Sequence, residues 1–204
     1  MSQVLPPTLV LAFNRPELTR RIVDQLLRVG VGVLYAHVDG PRAGVNSDAG
    51  AVESVIAELT RLRSDFDLHI RTSSENLGCA WGPVQGINWF FEREDSGVIL
   101  EDDILASADF FRVMKLGLST LEETNDVYSL QGYSHLPWET TCRFRMSRFS
   151  GSWGWASWAS RWKRFEGSPA YWAKNFPLSY SLSRFGVATT LFWIRRLRML
   201  MQSE

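Results

Sequence analysis

Thr8-Leu9-Val10-Leu11-Ala12-Phe13 is an apolar run with no polar alternation, the pattern of a strand buried on both faces. Asn14-Arg15-Pro16-Glu17 interrupts it. A polar residue before a proline, followed by an early acid, opens a helix over about 16–28, with Leu18, Ile22, Leu26 and Val29 on its apolar face. The alternation then repeats. Val31 to Val38 predicts a second strand, closed by the turn Asp39-Gly40-Pro41-Arg42. A second helix follows over 48–63 and a short third strand over 67–71. Asn76-Leu77-Gly78 precedes a helix over about 80–93, and Val98 to Leu100 predicts a fourth strand. Ser107 caps a helix through about Thr124, and Val127 to Gln131 predicts a fifth strand. Strands alternating with helices imply an α/β fold whose sheet is mostly parallel and covered by helices on both faces. The alternation is lost near residue 132. The chain therefore divides into an α/β core over 1–132 and a Trp- and Gly-rich region ending in a basic helix over 133–204, both within one domain.

The chain has 204 residues, of which 45% are apolar, enough to bury a sizeable core. Lys plus Arg equals Asp plus Glu at 22 each, so overall charge does not point to a nucleic-acid partner. Cys79 and Cys142 have no metal-ligand spacing and form no disulfide framework, which fits a reducing compartment. Met1-Ser2-Gln3 shows no signal-peptide pattern, and no apolar run approaches the roughly 18 residues of a membrane span. A cytoplasmic location is the expectation. Near the end, Arg195, Arg196 and Arg198 alternate with Phe192, Trp193, Leu197, Leu200 and Met201. This basic, partly amphipathic helix suits either a core position or peripheral contact with a membrane surface.

Candidate chemistry begins where the fourth strand ends, at Glu101-Asp102-Asp103. Three adjacent carboxylates repel one another unless a cation or ligand compensates them, and hard divalent cations such as Mg²⁺ or Mn²⁺ favour oxygen ligands of this kind. The alternative is a solvated acidic turn at the start of the next helix. Asn14, Arg15, Asp39, Asn76 and Gly78 each have an ordinary explanation as a cap or turn residue. All of them, however, fall just after predicted strands, and in a parallel sheet those ends share one edge, where ligands bind. Together they outline a crevice for a nucleotide and a metal. The glycine-rich dinucleotide fingerprint and the P-loop are both absent. Further on, Trp155, Trp158 and Trp162 stand at helical spacing and predict a packed aromatic stripe. Gly151-Ser152-Trp153-Gly154 predicts a loop that offers a flat apolar face and backbone amides to a sugar. His37, His69 and His135 are dispersed and read as structural.

Taken together, these segments resemble the GT-A class of nucleotide-sugar-dependent glycosyltransferases, in particular bacterial family-2-like members related to the Golgi N-acetylglucosaminyltransferase that initiates complex N-glycans. The resemblance spans about residues 8 to 165. It rests on Phe13-Asn14-Arg15-Pro16, Val38-Asp39-Gly40, Asn76-Leu77-Gly78, Glu101-Asp102-Asp103 with Asp109-Phe110-Phe111 behind it, and Ser150-Gly151-Ser152-Trp153-Gly154-Trp155. It implies a Rossmann-like GT-A fold and metal-dependent, inverting transfer of a sugar from a nucleotide-diphosphate donor, a UDP-sugar, to a saccharide or other hydroxyl acceptor. The metal would be Mn²⁺ or Mg²⁺, with Asp103 its direct ligand. Asp102 and Glu101 would lie toward the ribose and sugar, Asp39 near the uracil, and the loop of Trp153 and Gly154 under the sugar and acceptor.

An inverting enzyme also needs a carboxylate base for the acceptor hydroxyl. Here the chain departs from the pattern, because after Trp162 its only side-chain carboxylates are Glu166 and Glu204. Glu166 is the candidate base, but it follows the Trp segment too closely to reach across a donor sugar. The expectation is an incomplete acceptor side. The rival function is a sugar-nucleotide-binding module, catalytically impaired or truncated. A nucleotidyltransferase is disfavoured, since no Gly-rich basic loop follows the first strand.

Overall fold

The computed structural model describes residues 4–61, 63–124, 126–133, 144–147, 150–165 and 174–201. It forms two compact units, Met1–Lys163 and Arg164–Glu204. The first runs past residue 132, because the segments that follow add strands to the same sheet.

In the first unit, β1 (Thr8–Ala12), α1 (Pro16–Val29), β2 (Val33–Val38), α2 (Asn46–Arg61), β3 (Asp67–Thr72), α3 (Gly78–Phe91), β4 (Ser96–Glu101) and α4 (Ala108–Thr120) alternate as the apolar pattern predicts. Two short strands follow, β5 (Leu130–Gln131) and β6 (Trp155–Trp158), and then α5 (Ala159–Trp162). The six strands form one sheet in the order β3-β2-β1-β4-β6-β5. β1 to β4 are parallel, β6 is antiparallel to β4, and β5 is antiparallel to β6.

Side chains alternate across this sheet and build two apolar layers. Val10, Ala12, Leu34, Ala36, Val98 and Leu100 meet α1, α2 and α4 on one face, where Ile22, Leu26, Val55, Leu59, Phe111 and Met114 are buried. Leu9, Tyr35 and Ile99 meet Ile87, Phe90 and Phe91 of α3 on the other. At Gly97 the two layers leave no room for a side chain: a Cβ there would lie 2.4 Å from Phe90 Cζ and 2.7 Å from the Pro7 carbonyl oxygen. The Ser107 cap forms as expected, its hydroxyl accepting the Phe110 N–H at 3.2 Å.

The aromatic stripe is corrected. Trp155 to Trp158 is a strand, so Trp155 and Trp158 point to opposite faces of the sheet. Trp158 joins the layer that holds α4, whereas Trp155 and Trp162 pack with the α3 layer, their rings 6.1 Å apart. Spacing of three fits a helix, but register against β4 (Ser96↔Trp158, Ile99↔Trp155) decides the geometry. Strand β5 is also shorter than the predicted Val127 to Gln131.

The second unit contains the helical run Leu178–Met201 (α6), broken at Gly186, where φ is 76° and ψ 175°. The Ser181 and Thr190 hydroxyls meet at 2.8 Å across this break. Leu182, Val187, Leu191, Phe192 and Trp193 expose much of their surface. Among the described residues no helix is long and apolar enough to cross a membrane.

Candidate functional site

The carboxyl ends of β1, β2 and β4 carry Asn14-Arg15, Asp39-Gly40 and Glu101-Asp102-Asp103 to one edge of the sheet. The ladder continues just past the strands, with the Asp39 N–H donating to the Ala12 carbonyl at 2.9 Å and the Asp102 N–H to the Leu11 carbonyl at 3.0 Å. Because β6 runs antiparallel to β4, the loop preceding it also arrives at this edge. Ser152 lies in that loop, and its side chain opposes the upward shift of the Glu101 carboxyl. The strand-end residues singled out in the sequence thus lie along one edge, and Arg15 binds two of them, Asp102 and Asp103.

Arg15 lies between two of the acids. Its Nη2 and Nε both donate to Asp102, the latter at 3.3 Å, and its Nη1 donates to Asp103 Oδ2 at 3.0 Å. The two carboxylates differ in surroundings: the Asp102 side chain is 1% exposed and that of Asp103 41%. Burial pushes the Asp102 carboxyl above the usual range, opposed by the Arg15 guanidinium and by the Phe13 N–H, and reinforced by the charge on Asp103. Glu101 is likewise raised, first by burial and then by repulsion from Asp103 and Asp102, with Arg15 and the Ser152 hydroxyl working against the rise. Burial alone would lower the Arg15 pKa; the two aspartates outweigh it and raise the value.

The three acids therefore do not converge. Asp102 is taken up by Arg15, Asp103 shares the same guanidinium, and no cluster of three ligating side chains occurs among the described residues. Asp103 is the most exposed of the three, beside a cavity of about 40 Å³ lined by Leu18, Arg21, Asp102, Asp103 and Leu105. This donor set does not suit a cation caged by protein. It does suit one held by a single carboxylate and completed by phosphate oxygens and water, a common arrangement for Mg²⁺.

Asp39 is buried, and both of its oxygens are used. Oδ1 accepts the N–H groups of Gly40 (3.0 Å) and Leu77 (2.9 Å), and Oδ2 accepts Gly78 N–H (3.0 Å) and Asn76 Nδ2 (3.1 Å). Four donors fill the four lone-pair positions of a carboxylate. Asn76 also donates to the Gly40 carbonyl at 2.9 Å. Asp39, Asn76 and Gly78 consequently form one structural knot, in which a carboxylate from β2 accepts the first free N–H groups of α3. A base edge approaching here meets the backbone of 76–78 rather than open carboxylate oxygens. Close packing extends behind the knot: a Cβ at Gly82 would stand 3.2 Å from Asp39 Oδ2, and one at Gly86 would stand 2.8 Å from the His37 ring. His37 is buried there, and burial, then Arg71, lower its pKa, as befits a packing residue.

Sequence reasoning passed over Arg42 and Asp48. Asp48 is buried in the first turn of α2 and accepts Arg42 Nε at 2.6 Å, Arg42 Nη2 at 3.0 Å and Asn14 Nδ2 at 2.9 Å. Arg42 holds the Asp48 carboxyl well below the usual range, despite the opposing effect of burial. Its guanidinium also stands 5.5 Å from the centre of the Phe13 ring. Asn14 is thereby fixed by a helix 34 residues away. An acid six residues after an arginine in a turn was the only local signal.

On the opposite flank, Trp153 is 56% exposed and meets Tyr133 edge-on with 4.9 Å between ring centres. Gly154 sets this loop: its φ is 74°, its N–H returns to the Ser152 carbonyl at 2.9 Å, and its carbonyl accepts Gly132 N–H at 3.0 Å. Glu166, the candidate base, lies outside the described residues. The chain matches no protein-family model and no curated protein.

Proposed function

We propose that this protein is a GT-A glycosyltransferase that moves a sugar from a nucleoside-diphosphate donor, a UDP-sugar, to a saccharide or other hydroxyl acceptor with the help of Mn²⁺ or Mg²⁺. The observation that carries the reading is the Asp103 carboxylate at the carboxyl end of β4, 41% exposed although Arg15 Nη1 donates to it at 3.0 Å, while Asp102 is buried under the same guanidinium. That edge of an open α/β sheet is where ligands bind, and one carboxylate is the usual protein share of a phosphate-bound cation.

In this reading Asp103 holds the cation, which when bound neutralises charge on the departing diphosphate. Arg15 keeps the buried Asp102 compensated, so the site's negative charge is concentrated at its mouth. Glu101, half-buried at the end of β4, is the carboxylate that would accept a sugar hydroxyl. Trp153, with Tyr133 packed edge-on against it, supplies a flat face for the sugar ring. Asp39, Asn76 and Gly78 shape the wall on the base side through their backbone. The acceptor base stays unassigned among the described residues, since those after Trp162 carry no carboxylate. The second reading is a protein that binds sugar nucleotides without turning them over.

Two measurements test the site. Calorimetric titration with UDP should show binding that is strong in Mn²⁺, weak in EDTA, and about 10- to 100-fold weaker in Asp103→Ala, the scale for disturbing a metal site. Asp109→Ala, which removes an exposed partner of Arg112 on α4, should leave it unchanged. Equal affinity in EDTA and Mn²⁺ would remove the metal from the proposal. Trp153→Ala should leave UDP affinity intact and weaken UDP-sugar binding about tenfold, the worth of one aromatic contact. A parallel loss for UDP and UDP-sugars would take Trp153 away from the sugar. Release of sugar from the donor, by transfer or hydrolysis, separates the enzyme from the binding module.

A further inference from the structure

The Arg15 fork is unusual in what it spans. Asp102, at 1% exposure, needs a permanent counter-charge, because an unpaired buried carboxylate is strongly destabilising. Asp103, at 41% exposure, does not, since water can solvate it. Yet one guanidinium serves both, with two donors on Asp102 and one, Nη1, on Asp103 at 3.0 Å. The Asp103 bond is the weaker and more accessible of the two attachments. It is also the one that occupies the carboxylate on which a cation would sit.

We propose that Arg15 is a positioning residue that occupies the cation position at Asp103 in the metal-free protein and yields it when a divalent cation arrives with a diphosphate. The inference rests on the reading of this edge as a cation and diphosphate site. Arg15 stays clamped to Asp102 in both states, so only the Nη1 bond is exchanged. A bare cation must displace that bond and tolerate a guanidinium charge a few ångströms away. A cation that comes with a diphosphate meets less opposition, because the phosphate oxygens are anionic partners for both the cation and the freed Nη1. Cation and diphosphate therefore favour each other's binding through Arg15, and the coupling is reciprocal.

The test is titration of the full chain with Mn²⁺ alone, reading free Mn²⁺ by electron paramagnetic resonance, and then with UDP present. Arg15→Met by itself strands the buried Asp102 charge, so the decisive variant is Arg15→Met/Asp102→Asn, which removes both partners of the buried pair. The double variant leaves net charge unchanged, and Arg28→Met, which deletes an exposed guanidinium at the far end of α1, is the control for losing an arginine elsewhere on that helix. The expected result is Mn²⁺ binding about tenfold tighter in the double variant than in the natural chain, the scale of one lost ionic competitor at Asp103, because the guanidinium repulsion and the Asp102 attraction are lost together. UDP should then enhance Mn²⁺ affinity less than it does in the natural chain. Arg28→Met should change neither, and adding Asp103→Ala to the double variant should abolish the gain. Unchanged or weaker Mn²⁺ binding in the double variant, alongside normal Mn²⁺–UDP binding by the natural chain, would overturn the competition and leave the proposed function standing. A gain that survives Asp103→Ala would overturn it as well. Failure of the natural chain to bind Mn²⁺ even with saturating UDP would remove the proposed site, and this inference with it.

Discussion

Replacing Trp158 by alanine is expected to lower the unfolding free energy by about 3–5 kcal/mol, the range for truncating a large aromatic residue in a core. The residue is 4% exposed and belongs to the apolar layer that holds α4 against the sheet. Its indole Nε1–H donates to the Leu118 carbonyl at 3.2 Å, near the end of α4, where carbonyls have no helical partner. The Arg161 guanidinium stands 3.4 Å from the centre of the ring. Arg161 is buried too, and its Nη2 donates to the Leu121 and Glu122 carbonyls at 2.9 and 2.6 Å. Trp158 and Arg161 together cap α4 and fix β6 beside β4, and β6 in turn fixes the Trp153 loop. Alanine at 158 leaves a cavity, deprives a buried carbonyl of its donor and removes the face on which Arg161 stacks. Trp158→Phe keeps most of the volume and loses the N–H, so about 1–2 kcal/mol is expected for it. Trp153→Ala, on an exposed ring, should stay within about 1 kcal/mol of the natural chain. Urea unfolding followed by circular dichroism measures all three, and similar losses for Trp153→Ala and Trp158→Ala would contradict this division between packing and contact.

The first four strands and four helices were legible because their burial is written locally. Apolar runs such as Leu9 to Ala12 have one reading, and the Ser107 cap has one partner, three residues on. Strand β6 was not legible in the same way. Trp155-Ala156-Ser157-Trp158 is four residues long, its tryptophans are three apart, and its pairing partner β4 lies some sixty residues earlier. Local spacing therefore favoured a helix, and hydrogen bonding to a distant strand decided otherwise. The site divides along the same line. The sequence places polar groups at strand ends, and the topology gathers those ends on one edge. What each carboxylate does there depends on partners far along the chain: Arg15 on Asp102 and Asp103, Asn14 on Asp48, and the 76–78 backbone on Asp39. Three consecutive acids look alike in the local pattern, and only the resemblance set Asp103 apart; burial and one arginine give each of them different surroundings.

Asp39 shows how far such a partner changes an expectation. A carboxylate facing a nucleobase would cost ligand affinity when removed and little stability. The Asp39 carboxylate instead accepts four donors from Gly40, Asn76, Leu77 and Gly78 in a buried position. Asp39→Ala is therefore expected to cost about 3–5 kcal/mol of stability, because several buried donors lose their acceptor at about 1–3 kcal/mol each. Asp39→Asn is the sharper variant. An amide keeps the shape but replaces one oxygen by an NH₂ group, which would face two donors at either position. Asparagine should thus cost nearly as much stability as alanine. Because Asp39 fixes Asn76 to Gly78, and with them the start of α3, any loss of UDP affinity should be shared by inorganic pyrophosphate, which has no base. Chemical denaturation and calorimetry on both variants check the two parts. Unchanged stability with a loss confined to UDP would give Asp39 back to the base.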